Sequence, residues 1–295
     1  MCVGKVSRMG RVSGLVGSFV LFAWAILAAC SPALKSFPLP SDVRLVAPDP
    51  ELPQEISAFS GAWTGTWLEP PWGAIGDTAL VVERIEREHA IVVYAWANNR
   101  SGRFVGGWDR KKALVGPGPR IEWRVGSRDF AFQMGKDLNS IEGTMKVGSA
   151  EKTFIRLYRV PPEASHIVPS AFSSAVLPSL PGVSISTPSA DLAPELAAFS
   201  GVWEGNWGGD VPSRLIVEWI GGGSARVLYA WAGDKERGFK GGWNRYTATV
   251  LPGGGLQWGR DPRFTFRMSK DLTTIEGERE KDGSITVIIM KKVAP

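Results

Sequence analysis

The chain contains the same module twice, and that repetition limits its fold more than any other feature. AFSGAWTGTW (58–67) matches AFSGVWEGNW (198–207) at an offset of 140, and VVYAWA (92–97) matches VLYAWA (227–232) at 135. FVGGWDR (104–110) matches FKGGWNR (239–245), and FAFQMGKDLNSIEG (130–143) matches FTFRMSKDLTTIEG (264–277) at 134. A repeat of this length is one structural unit used twice. The shrinking offset marks short deletions in the second copy, near 68–79 and 126–129, where connections are expected. Between the copies, Pro161 to Ala190 is rich in Pro, Ser and Ala and has no sustained period, so it reads as a linker. The expected repeats are 51–160 and 191–295.

Within a repeat the pattern is that of short strands. In the second copy, 199–207, 213–220, 225–232, 238–250, 255–260, 263–269, 273–280 and 283–292 each read as a strand. Turn signals such as Gly221-Gly222-Gly223, Gly233-Asp234 and Asp282-Gly283 separate them. Alternation places Phe130, Phe132 and Met134 on one face, with Phe264, Phe266 and Met268 in the second copy; Phe59, Trp63 and Trp67 share a face of the opening segment. The tight turn at Lys-Asp-Leu precedes a strand in both copies. High glycine (35) and tryptophan (13) suit strands and turns rather than helices. The expected fold is all-β: two tandem eight-stranded antiparallel meander barrels, each closed so that no edge is left exposed. A β-sandwich is the alternative.

The N-terminus is an address. Residues 1–14 carry Lys5, Arg8 and Arg11 and no acid, and LVGSFVLFAWAILAAC (15–30) is uncharged and apolar, ending in small residues. Basic, apolar and small-residue regions in that order form a secretory signal. Leu27-Ala28-Ala29-Cys30 resembles the lipobox of bacterial lipoproteins, which implies cleavage after residue 29 and a diacylglycerol on Cys30. A plain transmembrane anchor over Val12–Ala29 is the alternative. By the same resemblance, Ser31 rather than Asp after the cysteine implies the periplasmic face of the outer membrane. Residues 30–50 read as the lipid anchor and an extended tether. Loss of the leader removes three bases and no acid, lowering the formal net charge from +5 to +2, so the basic pI is no footprint of nucleic acid.

The opening Gly61-Ala62-Trp63 and Gly201-Val202-Trp203, each behind a short segment such as Pro194–Ala198, resembles the start of lipocalins, avidins and other calycins. That resemblance implies a short turn leading into strand one and a Trp that plugs the barrel floor. It covers the opening motif and the strand count; no biotin-binding set carries over.

Candidate binding residues are the shared aromatics Trp63, Tyr94, Trp96 and Trp108, with Trp203, Tyr229, Trp231 and Trp243; Trp67/Trp207 and Trp123/Trp258 complete five tryptophan pairs. They either form a stacking platform for a ring, sugar or lipid, or fill a small core with large rings. Trp108 and Trp243, between Gly-Gly and Asp/Asn-Arg, are expected to be partly exposed. The shared charges are Glu83/Glu218, Arg110/Arg245 and Glu142/Glu276. A Glu–Arg pair crossing the barrel would orient a ligand; the other reading is structural pairing. The segment Leu68–Asp77, with Pro70, Pro71 and Trp72, has no full counterpart and is expected to be a divergent rim loop, so that deleting 69–75 changes the partner but not the fold.

No enzyme motif is present: no Gly-x-Ser-x-Gly, no His-Glu-x-x-His, no phosphate-cradling loop, and His89 and His166 are unshared. Two cysteines, one in the leader, leave no disulfide and no multi-cysteine zinc site in a mature chain. No cofactor and no metal are expected. The expected function is a non-enzymatic binding or scaffold module on a lipid anchor, its partner an envelope protein or cell-wall polymer. The alternative is a calycin-like carrier of a small apolar or aromatic ligand; a carboxylate-dependent hydrolase is the third reading.

Overall fold

The computed structural model describes residues 37–69, 73–97, 106–148, 153–160, 177–208, 211–233 and 240–294. The expected leader 1–29, Cys30 and residues 161–176 of the expected linker lie outside the described residues, as do Pro70, Pro71 and Trp72.

The first repeat opens with one helical turn, α1 (Gln54–Ser57), followed by β1 (Gly61–Glu69), β2 (Gly73–Ile85), β3 (His89–Trp96), β4 (Gly107–Gly116), β5 (Arg120–Val125), β6 (Arg128–Met134), β7 (Ser140–Val147) and β8 (Thr153–Arg159). Each strand pairs antiparallel with the next, and β8 returns to β1 with Trp67 opposite Ile155, closing an eight-stranded barrel. The second repeat has a helical turn, α2 (Pro194–Ala198), and eight strands: β9 (Gly201–Trp207), β10 (Val211–Ile220), β11 (Ser224–Trp231), β12 (Gly242–Val250), β13 (Leu256–Trp258), β14 (Arg263–Met268), β15 (Thr274–Lys281) and β16 (Ser284–Val293). These also pair in chain order, and β16 lies beside β9.

The shared glycines have steric reasons. Gly61 and Gly201 sit at φ +114° and +124°, a region closed to most side chains. A Cβ on Gly143 would stand 2.5 Å from Ile155 and 2.6 Å from Phe132; on Gly277 it would stand 2.3 Å from Phe266. The Ile-Glu-Gly of each repeat therefore exists so that a phenylalanine ring can lie flat on bare backbone.

The interior of the first barrel is apolar, built from Phe59, Trp63, Trp67, Leu80, Val82, Trp123, Phe130 and Phe132 among others. Phe199, Trp203, Trp207, Leu215, Trp258 and Phe266 do the same in the second repeat. Phe130, Phe132 and Met134 are buried together, as their alternation requires.

Two expectations are corrected. The expected tether is no free spacer over residues 37–50: Phe37 and Leu39 are buried against Ala62, Val81, Val93 and Trp108 on the outer barrel wall, and Val46 N donates to Glu83 O at 2.7 Å. The end of the expected linker does the same one repeat later, with Leu177, Leu180 and Ile185 packed on Val202, Ile216 and Leu228, and Ser186 N donating to Glu218 O at 2.8 Å. Proline fixes these straps extended, and apolar residues between the prolines gain by covering the wall. The second correction concerns the rim. Most of Leu68–Asp77 is paired hairpin rather than loop, with Trp67 opposite Gly76 and Leu68 opposite Ala74, so deleting 69–75 would remove strand.

Candidate functional site

Inside each repeat the shared aromatics hold one another. The Trp123 ring stacks on Phe130 and Phe132 with centroids 5.3 and 5.0 Å away, and Tyr94 packs on Phe130 at 5.2 Å. Trp67 Nε1 donates to the Tyr94 hydroxyl at 2.8 Å. In the second repeat Trp258 stacks on Phe264 and Phe266, and Trp207 Nε1 donates to the Tyr229 hydroxyl. Burial pushes the Tyr94 hydroxyl above the ordinary phenol range and that of Tyr229 up to about 12. Trp63 and Trp203 are fully buried at the helical end, each donating Nε1 to the carbonyl of Phe59 or Phe199 at 2.8 Å. Trp96 and Trp231 are half-buried beside Tyr94 and Tyr229.

Trp108 is fully buried, not partly exposed: Phe37 and Leu39 of the strap lie in its cluster. Trp243 is 37% exposed. At the offset of 140, Ser179 stands where the first strap has Leu39.

The Glu–Arg pairs do not cross the barrel. Arg110 lies on the outer wall under the strap, where Nε and Nη2 donate to Glu83 at 2.8 and 3.1 Å and Nη2 donates to Asp42 at 2.8 Å. Burial raises the Glu83 carboxyl pKa, with Arg110 opposing, while the two acids hold the proton of Arg110 more firmly despite its burial. Arg245 repeats the pair with Glu218, but its strap contact is the carbonyl of Gly182 and its side chain is 39% exposed. These pairs fasten the straps, which explains their recurrence. Glu142 is exposed and paired with Arg156. Glu276 accepts from Arg84 Nη2 at 3.1 and 3.0 Å, across the seam between repeats. Glu83, Glu142, Glu218 and Glu276 each pair with a different arginine, and among the described residues no three His, Cys, Asp or Glu gather as a metal requires.

That seam was not foreseen in the sequence. Lys112 donates to Glu278 at 2.8 Å, Lys111 Nζ to Thr286 Oγ1 at 2.8 Å, and β16 pairs with β4 at Thr286 opposite Lys111. The outer face of β15 thus sits on the β2–β4 wall of the first repeat. The equivalent face of the first repeat, across β6–β8, carries no such partner among the described residues. It holds an open groove of about 530 Å³ bordered by Leu68, Arg120, Glu142, Phe154 and Arg156 over Ala131 and Gly143. Leu68 and Phe154 stand opposite each other, both about half exposed, with Tyr158 nearby at 56%. The one signal in the sequence was the apolar–charged alternation Phe154, Arg156, Tyr158 on a strand whose other face is core.

No family model matches the sequence, and no curated protein matches it. A solved structure from Nostoc punctiforme, a DUF3598-family protein of unknown function, aligns at 11% identity with a TM-score of 0.24, over 81% of this chain and 98% of that one.

Proposed function

We propose that this chain is a lipid-anchored, non-enzymatic binding module of the cell envelope, made of two tandem calycin-like barrels, that recognises a protein segment on the outer β6–β8 wall of its first repeat. One observation carries the reading. The face that the second repeat uses to dock on a barrel is, in the first repeat, open and grooved, with Leu68 and Phe154 exposed at its border. A large exposed apolar patch rimmed by charge is a usual mark of a protein contact. The rings that fill the barrel interiors argue for surface rather than interior recognition. The leader, the lipobox resemblance at Cys30 and Ser31 support the anchor and the outer-membrane address. The Gly-x-Trp opening and the pairing of β16 with β9 support the tandem-barrel reading.

The test is a photo-crosslinking residue at Phe154 in the anchored chain within cells, compared with one at exposed Glu55. A discrete protein adduct from position 154 alone is expected. Equal labelling at both positions would sink the proposal.

A specific observation favours the carrier as a second reading: Trp123 Nε1 and Trp258 Nε1, equivalent in the two repeats, are buried without a hydrogen-bond partner. A small ligand with an acceptor oxygen would satisfy them. Mass spectrometry of compounds extracted from the purified protein tests this, and an empty extract rejects it.

A further inference from the structure

We infer that this chain forms a two-fold dimer through the open edge of β12, Gly242–Ala248, in the second repeat. The inference does not rest on the groove of the first repeat.

The first repeat covers the same edge. Strand β4 meets β5 only at Leu114, Val115 and Gly116, so Gly107–Ala113 is unpaired on that side within its own repeat. The chain fills that gap itself. β16 pairs there at Thr286, Lys111 reaches its hydroxyl, and Lys112–Glu278 and Arg84–Glu276 flank the contact. Gly208 abuts it as well: a Cβ there would fall 1.9 Å from the Asp109 carboxylate.

Strand β12 has the same deficiency and, among the described residues, nothing fills it. It meets β13 only at Thr249 and Val250. Position by position it is more open than β4: Asn244 is exposed where Asp109 is half-buried, Tyr246 half-buried where Lys111 is buried, and Thr247 exposed where Lys112 is half-buried. Natural sheets cover or charge such an edge, or use it to pair with another chain. No Lys or Pro guards Gly242–Ala248.

The occupant follows from the edges a second copy can offer. The edge of β16 that meets β4 is already used within each copy. The equivalent edge of β8 is covered, because β1 runs past the point where β9 stops and pairs Leu68 with Phe154. The flank has changed too. Trp219, 44% exposed, replaces Arg84, and Thr247 replaces Lys112, so the two cations that hold Glu276 and Glu278 in the first repeat are missing from their places here, and the wall's cation is instead Arg226 on β11, between them. A head-to-tail chain of copies is therefore disfavoured. Beside the short free edges at 123–125 of β5 and Trp258 of β13, β12 itself offers the longest, and a strand paired antiparallel with its own image gives an isologous contact that closes at two. Trp243, 37% exposed, borders that contact on the outer wall.

The experiment is sedimentation equilibrium of the full chain in mild detergent, set beside Asn244→Lys/Thr247→Lys. Both positions are exposed, so the fold is retained, checked by an unchanged circular dichroism spectrum. The expected result is twice the chain mass for the wild type, falling by half in the variant. Oxidation of Asn244→Cys is expected to trap a covalent dimer, and Lys270→Cys is not. A wild type that stays monomeric at every concentration overturns the inference. So does a dimer that the two lysines leave intact with no disulfide at 244, or a monomer whose β12 amides gain exchange protection only when envelope extract is added.

Discussion

The guanidinium of Arg159 lies 4.2 Å above the Trp63 ring and donates to the carbonyls of Ala58 and Ser60 at 2.6 and 3.0 Å. One side chain of the last strand thus ties the helical turn to the first strand at the closed end of the barrel. In the second repeat Lys292 lies 5.3 Å from Trp203 and donates to Ala198 O at 3.1 Å. Arg159→Ala is expected to lower stability by about 1–2 kcal/mol, combining a cation–π contact with lost carbonyl partners. Arg159→Lys is expected to recover part of this, since the second repeat already uses lysine. Urea denaturation of both variants checks the order; equal losses would refute the role of the retained charge.

Gly143→Ala and Gly277→Ala place a methyl 2.3–2.6 Å from a phenylalanine ring. Each is expected to cost about 1–3 kcal/mol, because a packed core yields only by moving backbone or forcing rotamers. Gly76→Ala is the contrast: nothing lies within 4 Å of its Cβ position, and little change is expected. Thermal unfolding of the three variants decides whether contact rather than glycine itself is what matters.

Tyr229 offers a pH test. Burial raises its pKa from 10.0 to about 12. A phenol whose folded pKa exceeds its unfolded one holds its proton more tightly in the fold. Its contribution to stability is therefore complete below 10.0 and is lost as pH rises towards about 12. An ultraviolet titration of tyrosinate should contain a late component that Tyr229→Phe removes. Its survival in that variant would assign it to another tyrosine.

How much of this was legible in the sequence depends on the range of each interaction. The strands were, because alternation and turn residues act within a few positions: 213–220 is observed as Val211–Ile220 and 273–280 as Thr274–Lys281. The Gly-x-Trp opening and its helical turn were legible for the same reason. The straps were not. Phe37, Leu39 and Leu180 lie among prolines in stretches with no period, and only the outer wall they meet gives them a purpose. Burial of Trp108 followed from that strap and could not be read from Gly-Gly-Trp. The seam was hidden for a further reason. Glu142 and Glu276 are the same residue in sequence, yet one pairs with Arg156 on its own neighbouring strand and the other with Arg84 in the other repeat.

The straps give the sharpest prediction, because the two repeats differ in one measurable way. Arg110 is fully buried between Glu83 and Asp42, whereas Arg245 keeps 39% of its side chain in solvent. Removing one partner of a buried ion pair leaves a charge that water cannot reach, at a cost of about 3–5 kcal/mol. Glu83→Gln is expected to cost that much, and Asp42→Asn less, since Glu83 would remain. Glu218→Gln should cost about 1 kcal/mol, as Arg245 turns to water. If Arg110 holds the strap, Glu83→Gln will also speed amide exchange at Val46, which donates to the Glu83 carbonyl. Comparing denaturation and exchange in the two glutamine variants separates the cases: equal costs would mean that solvent reaches Arg110 and that the first strap opens as readily as the second.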